Sequence, residues 1–148
     1  MNKSLTKLRV SDIMRRDFAA LREEDNLERV GDSMIAMGLR SLPVVDGDVL
    51  VGLLKLEDTI PVGGLSPILA KARGDRAKRM FVAERMTRVT FVAFEDESIG
   101  DVATRLEDYD GLVPVLDRDD RLVGILGPRE WRKAFATAVP TPRLSLVA

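Results

Sequence analysis

Apolar residues at Leu27, Val30, Met34 and Met37 recur in steps of three, four and three. That spacing lays one stripe along a helix. A second stripe of the same kind runs through Ile99, Val102, Leu106 and Tyr109. Asn26 and Ser98 precede the stripes and suit helix N-caps, and Asp101 lies three residues after Ser98 as in a capping box. Each stripe is followed by two short β-type runs around a turn, "LPVVD" then "VLVGLL", and "VPVLD" then "RLVGIL". The turns, Gly47–Asp48 and Arg118–Asp120, predict two hairpins. Shorter β segments come before the stripes, at Ala19–Leu21 and Phe91–Phe94. A short helix is predicted at the end of each unit. In the second, Pro128 suits a first helical position, and Trp131 and Phe135 lie four apart on one face. By their spacing, Met34 and Met37 read as core residues.

The two patterns are copies. Shifted by 72, the chain overlays itself from Val10/Val82 and Met14/Met86 to Glu23/Glu95 and through both stripes. The shift falls to 71 at Pro43/Pro114 and returns to 72 at Gly52/Gly124. Single-residue indels confined to connections are how duplicated folds drift. The reading is therefore a repeat at 10–60, a linker at 61–81, a repeat at 82–138 and a tail at 139–148. Ser66–Pro67 in the linker resembles an N-cap followed by proline. A half of this size is marginal alone, so the copies are expected to pack together.

Composition narrows the chemistry. Cysteine and histidine are both absent from the 148 residues. Disulfides, thiol nucleophiles, Cys/His zinc sites and Ser-His-Asp triads are excluded, and no catalytic residues are assigned. The chain reads as a non-enzyme. No apolar run reaches the length of a membrane span, and the N-terminal segment lacks the apolar centre of a signal peptide. A cytoplasmic location is the expectation. Net charge is −1, but residues 61–81 carry net +4 between stretches of −2 and −3. The linker cations Lys71, Arg73, Arg76, Lys78 and Arg79 point all round a helix, which suits solvation better than nucleic-acid binding. The acidic groups Glu95–Glu97 and Asp117–Asp120 lack the ligand spacing of a calcium loop, and no metal site is assigned.

"VSDIM", "NLERVGDSMIAMG" and "RSLPVVDGDVLVGLL", with their counterparts "VAERM", "SIGDVATRLEDY" and "LVPVLDRDDRLVGIL", resemble the CBS domain in tandem. The resemblance implies an α/β fold of α+β type. It would consist of two βαββα-like repeats packed sheet to sheet into one pseudo-symmetric Bateman module, commonly a homodimer. It also implies an adenine nucleotide or adenosyl ligand (AMP, ADP, ATP or S-adenosylmethionine) in the cleft between the repeats, and control of a partner protein.

The family pattern after the "VG" strand is Gly-x-x-(Thr/Ser)-x-x-Asp, with the hydroxyl on phosphate and the carboxylate on the ribose. The first copy reads Gly52-Leu-Leu-Lys55-Leu-Glu-Asp58 and keeps the aspartate. Lys55 replaces the hydroxyl residue and meets phosphate as a point charge. The second copy reads Gly124-Ile-Leu-Gly127-Pro-Arg-Glu130. There the hydroxyl is gone, the carboxylate is longer, and Pro128 removes an N–H. The resemblance further implies phosphate contact at Arg40 and Ser41, where the second copy has Asp110–Gly111, and adenine contact at Phe18, Ala19 and Ala20. Simpler readings stand beside these: Asp58 as a cap of its own turn, Lys55 as a surface cation, Arg40 in ion pairs, and Glu130 as a helix-start carboxylate. The functional alternatives are a ligand sensor and a ligand-free dimerisation scaffold with decayed sites.

Overall fold

The computed structural model describes residues 7–60, 80–88, 91–109 and 111–138. The predicted linker helix, Asp110 and the tail lie outside the described residues. The chain folds as α1 (Val10–Ile13), β1 (Leu21–Arg22), α2 (Leu27–Met37), β2 (Ser41–Asp46), β3 (Val49–Lys55) and a 3₁₀ turn (Leu56–Thr59). After a second 3₁₀ turn (Val82–Glu84) come β4 (Ala93–Phe94), α3 (Ile99–Arg105), β5 (Val113–Leu116), β6 (Leu122–Leu126) and α4 (Pro128–Ala138). The strands form two three-stranded sheets, β1-β2-β3 and β4-β5-β6. The fold is mixed α/β, with the β-α-β-β order predicted for each repeat.

Local sequence explains the helix ends. The side chain of Asn26 accepts the Arg29 N–H at 3.0 Å, and the Ser98 hydroxyl accepts the Asp101 N–H at 3.1 Å. Gly38 ends α2 in the left-handed region, at φ 68°, and its N–H meets the carbonyls of Ile35 and Met34. β1 runs parallel to β2, pairing Leu21 with Val44, and β2 runs antiparallel to β3, pairing Leu42 with Leu54. α2 buries Leu27, Val30 and Met34 against this sheet around Leu21, Val44 and Leu54. α3 likewise buries Ile99, Val102 and Leu106 around Ala93, Val113, Val115 and Leu126.

Two expectations are corrected. Met37 lies on the predicted stripe but is 64% exposed, because it sits in the last turn of α2, beyond the reach of the sheet. The unit at the end of the first repeat is a single 3₁₀ turn, whereas α4 is a helix of 11 residues. α4 is the one that carries the predicted aromatic face, with Trp131 and Phe135 stacked 6.2 Å apart.

The compact units in space are not the repeats in sequence. One gathers Met1–Phe18 with Phe91–Asp119 and Val123–Ala148, and the other gathers Ala19–Thr90 with Asp120–Leu122. The opening segment of each repeat is hydrogen-bonded into the unit built on the other. Val10 donates to the Glu97 carbonyl, Ser11 to that of Glu95, and Ile99 to that of Leu8. Exactly 72 residues away the same bonds recur: Val82 donates to Asp25, Ala83 to Glu23, and Leu27 to Met80. Arg15 pairs with Ile125, as Thr87 pairs with Leu53. These close approaches require glycine. A Cβ on Gly52 would lie 2.8 Å from the Met86 sulfur, and one on Gly124 would lie 2.6 Å from the Met14 sulfur. Val10 and Val82 are fully buried by the exchange.

Candidate functional site

The candidate site grows from the end of β3. Ser41 pairs with Lys55, and the Leu56 N–H donates to the Arg40 carbonyl at 2.8 Å, so the chain turns where the β2–β3 ladder ends. Thr59 fixes the turn. Its hydroxyl donates to the Leu56 carbonyl at 2.7 Å, and its side chain seats on Gly31 of α2, where an added Cβ would lie 2.7 Å from Thr59 Oγ1. With both neighbours held, Asp58 has little freedom to relocate its carboxylate.

Asp58 Oδ2 is buried and has no hydrogen-bond partner among the described residues. No side chain caps this turn, so Asp58 is not the cap of its own turn. Arg40 and Lys55 are exposed and Ser41 is half-buried. Arg40, Ser41 and Lys55 are thus neighbours along the backbone at one end of the first sheet, and Asp58 lies three residues past Lys55 in the turn that follows. Two cations there favour an anionic group, and the orphan carboxylate oxygen is an acceptor for hydroxyl donors.

The second copy is arranged differently. Glu130 is 7% exposed, and its Oε1 accepts the Gly127 N–H at 2.9 Å. Gly127 precedes α4, and its carbonyl accepts the Trp131 N–H, so Glu130 closes the helix start from inside. Phe18 is half-buried and belongs to the unit containing Glu130, whereas Ala19 and Ala20 are exposed. Ala19 stands on the wall of a cavity of about 480 Å³ between α2 and β1, which Arg40, Lys55 and Asp58 do not line.

The acidic groups serve local structure. Glu97 pairs with Arg105 at 2.8 Å, and Asp117 accepts the Asp119 N–H at 2.8 Å within its turn. Among the described residues, no group of three carboxylates could hold a metal ion. Sequence reasoning missed Thr59, whose only signal is its place beside Asp58. It also missed the cavity, whose signal was the loss of bulk at Ala19 and Ser33 relative to Phe91 and Arg105.

The sheets, the exchanged segments and the paired strand-to-turn sites define a tandem regulatory-domain architecture. The family described as "CBS domain" matches residues 10–60 and 82–137, and the chain belongs to it. A CBS domain-containing protein of unknown function from Bacillus anthracis is similar at 19% identity and a TM-score of 0.79, covering 94% of this chain and 100% of that one. The CBS domain pair of protein MJ0100, solved with 5′-methylthioadenosine and S-adenosyl-L-methionine, is 27% identical at a TM-score of 0.65, covering 87% and 96%. CBSX2 from Arabidopsis thaliana, solved in complex with AMP, is 22% identical at a TM-score of 0.70, covering 88% and 97%. A homoserine O-acetyltransferase from Methanohalobium evestigatum is 30% identical over 85% of this chain, which spans only 24% of that protein. Among the described residues, no helix is long and apolar enough to cross a membrane.

Proposed function

We propose that this CBS pair is a ligand-sensing regulatory module that binds an adenine nucleotide or adenosyl derivative at Asp58 and controls a partner protein. The observation that carries this reading is the buried, unpartnered Oδ2 of Asp58. A buried carboxylate oxygen without a donor costs free energy in the empty protein, and a ribose diol supplies the missing donors. Arg40 and Lys55 favour the phosphate or carboxylate end of the ligand. The MJ0100 pair, solved with two adenosine derivatives, supports the ligand class. Its relatives also support the regulatory role: in the homoserine O-acetyltransferases the matched region is about a quarter of a longer chain. That proportion suits a module that serves an activity housed elsewhere.

The test is calorimetric titration with AMP, ADP, ATP, S-adenosylmethionine, 5′-methylthioadenosine and NAD. Saturable binding of at least one, lost in Asp58→Ala, supports the reading, and no binding at millimolar ligand overturns it.

A second reading, a dimerisation scaffold without ligand, is favoured by the bond between Glu130 and Gly127, which consumes the second carboxylate internally. In either reading we propose a homodimer. Ile35 on α2 and Ile60 after the first 3₁₀ turn are 62% and 53% exposed, on elements joined by the Gly31–Thr59 contact. A second copy would cover them.

A further inference from the structure

The walls of the cavity between α2 and β1 have counterparts in the second repeat, where larger side chains stand at three of the positions. There Arg105 of α3 reaches across to β4. Its Nη1 donates to the Val92 carbonyl at 3.0 Å, and its Nη2 donates to Glu97 Oε1 and Oε2 at 2.8 and 3.0 Å. Beside it the Phe91 ring packs on Tyr109, with centroids 4.6 Å apart and planes tilted by 31°.

Moving back by 72 residues replaces Arg105 with Ser33, Phe91 with Ala19 and Tyr109 with Met37. Ala19, Ser33 and Met37 all line the cavity. The carboxylate acceptor is kept: Glu97 becomes Asp25, also on the cavity wall, while Val92 becomes Ala20, which is not among the lining residues. The carboxylate sits in the same seat in both copies. Asp25 Oδ2 accepts the Arg22 N–H at 2.8 Å, as Glu97 Oε1 accepts the Phe94 N–H at 2.8 Å. The first repeat thus retains the carboxylate that holds a guanidinium in the second. It lacks the counterparts of Arg105 and Phe91, although Arg29 of α2 also lines the cavity.

The space left is about 480 Å³, within the range that holds a small ligand. Glu24 and Arg29 complete its charged rim, so with Asp25 the rim is net −1. Among the described residues, the salt bridges are Arg105–Glu97 and Arg118–Asp96, and Asp25 takes part in neither.

We propose that this cavity is a second binding site, separate from Asp58, for a small ligand carrying a guanidinium beside a flat aromatic ring. The guanidinium takes the place of Arg105, donating to the two oxygens of the Asp25 carboxylate. Its planar fork suits paired oxygen acceptors better than an ammonium does. The ring takes the place of Phe91, over Ala19 and against the Met37 thioether, a favourable contact for an aromatic edge. Arg40, Ser41, Lys55 and Asp58 do not line this site, whereas Ala19, assigned above to adenine contact, does, so the two sites share that residue's neighbourhood.

The experiment titrates the full chain with benzoyl-arginine amide, and with benzoyl-citrulline amide as the neutral isostere, by isothermal calorimetry. Saturable binding of the arginine compound is expected, with the citrulline compound weaker by about tenfold or more. Asp25→Asn should weaken the arginine compound by a similar factor. Ser33→Arg, which restores the arginine of the second repeat, should abolish binding while leaving the melting temperature unchanged or higher. If Asp25→Asn does not fold, Ser33→Arg decides alone. Equal affinity for the two compounds, binding undiminished in a folded Ser33→Arg chain, or no saturable binding at millimolar ligand would overturn the proposal.

Discussion

Glu130 accepts the amide proton of Gly127 through a buried 2.9 Å hydrogen bond, three residues back along its own chain. Asp58, at the corresponding place 72 residues earlier, leaves its buried Oδ2 without a partner. One methylene separates the two side chains. Length alone does not decide this, since Asp12 and Asp25 each accept the N–H three residues back at 2.8 Å; at Asp58 that residue is Lys55, the last residue of β3.

Substitution at the two positions should therefore have opposite effects. Hydrogen bonds to charged groups are worth roughly 1.5–3 kcal/mol. Asp58→Ala should weaken adenosine-ligand binding by about 10- to 150-fold. It should leave the melting temperature of the free protein unchanged or slightly raised, since an unsatisfied buried oxygen is removed. Glu130→Ala leaves the Gly127 N–H unpaired and should cost about 1–3 kcal/mol of stability with little effect on affinity. Calorimetric titration and thermal melts of both variants check this. A cooler-melting Asp58→Ala with unchanged affinity would make that carboxylate structural.

Stoichiometry follows from the same asymmetry. One adenosine ligand should bind per chain, because only the first copy offers a free acceptor beside Arg40 and Lys55. An isotherm fitting two equal sites per chain would contradict this.

Gly52 and Gly124 should each be sensitive to a single added methyl. A Cβ would lie 3.0 Å from the Thr87 carbonyl at Gly52, and 3.2 Å from the Arg15 carbonyl at Gly124, besides meeting the methionine sulfurs. The sulfurs can move but the strands cannot easily do so. Overpacking of this kind costs about 1–3 kcal/mol. Urea denaturation of Gly52→Ala and Gly124→Ala should show losses in that range, whereas Ala136→Gly on the exposed face of α4 should cost only the smaller helix-propensity difference, about 1 kcal/mol or less.

The proposed dimer predicts that Ile35→Glu yields a monomer. Light scattering should give about twice the 16.4 kDa chain mass for the natural protein and about one chain mass for the variant. Chain-mass particles for both at micromolar concentration would remove the dimer.

The sequence by itself determined the repeat, the β-α-β-β order within each copy, and both N-caps, but not α1 or the 3₁₀ turn that closes the first copy. The features it determined depend on spacing within a few residues, and such spacing is written directly in the chain: Asn26 and Arg29 are three apart whatever the rest of the molecule does. It also gave the family resemblance and brought Lys55 and Asp58 forward as candidates. It misread Met37, because a helical stripe does not say where the facing sheet ends. Tertiary structure alone decided that α1 packs with the second repeat and Val82 with the first. It alone showed that Glu130 accepts a buried N–H while Asp58 Oδ2 has no partner among the described residues, and that Ala19 and Ser33 line a cavity. The reason is physical. Whether a buried polar atom is satisfied, or a space filled, depends on which atoms from distant parts of the chain arrive within about 3–4 Å. Local periodicity carries no record of those arrivals.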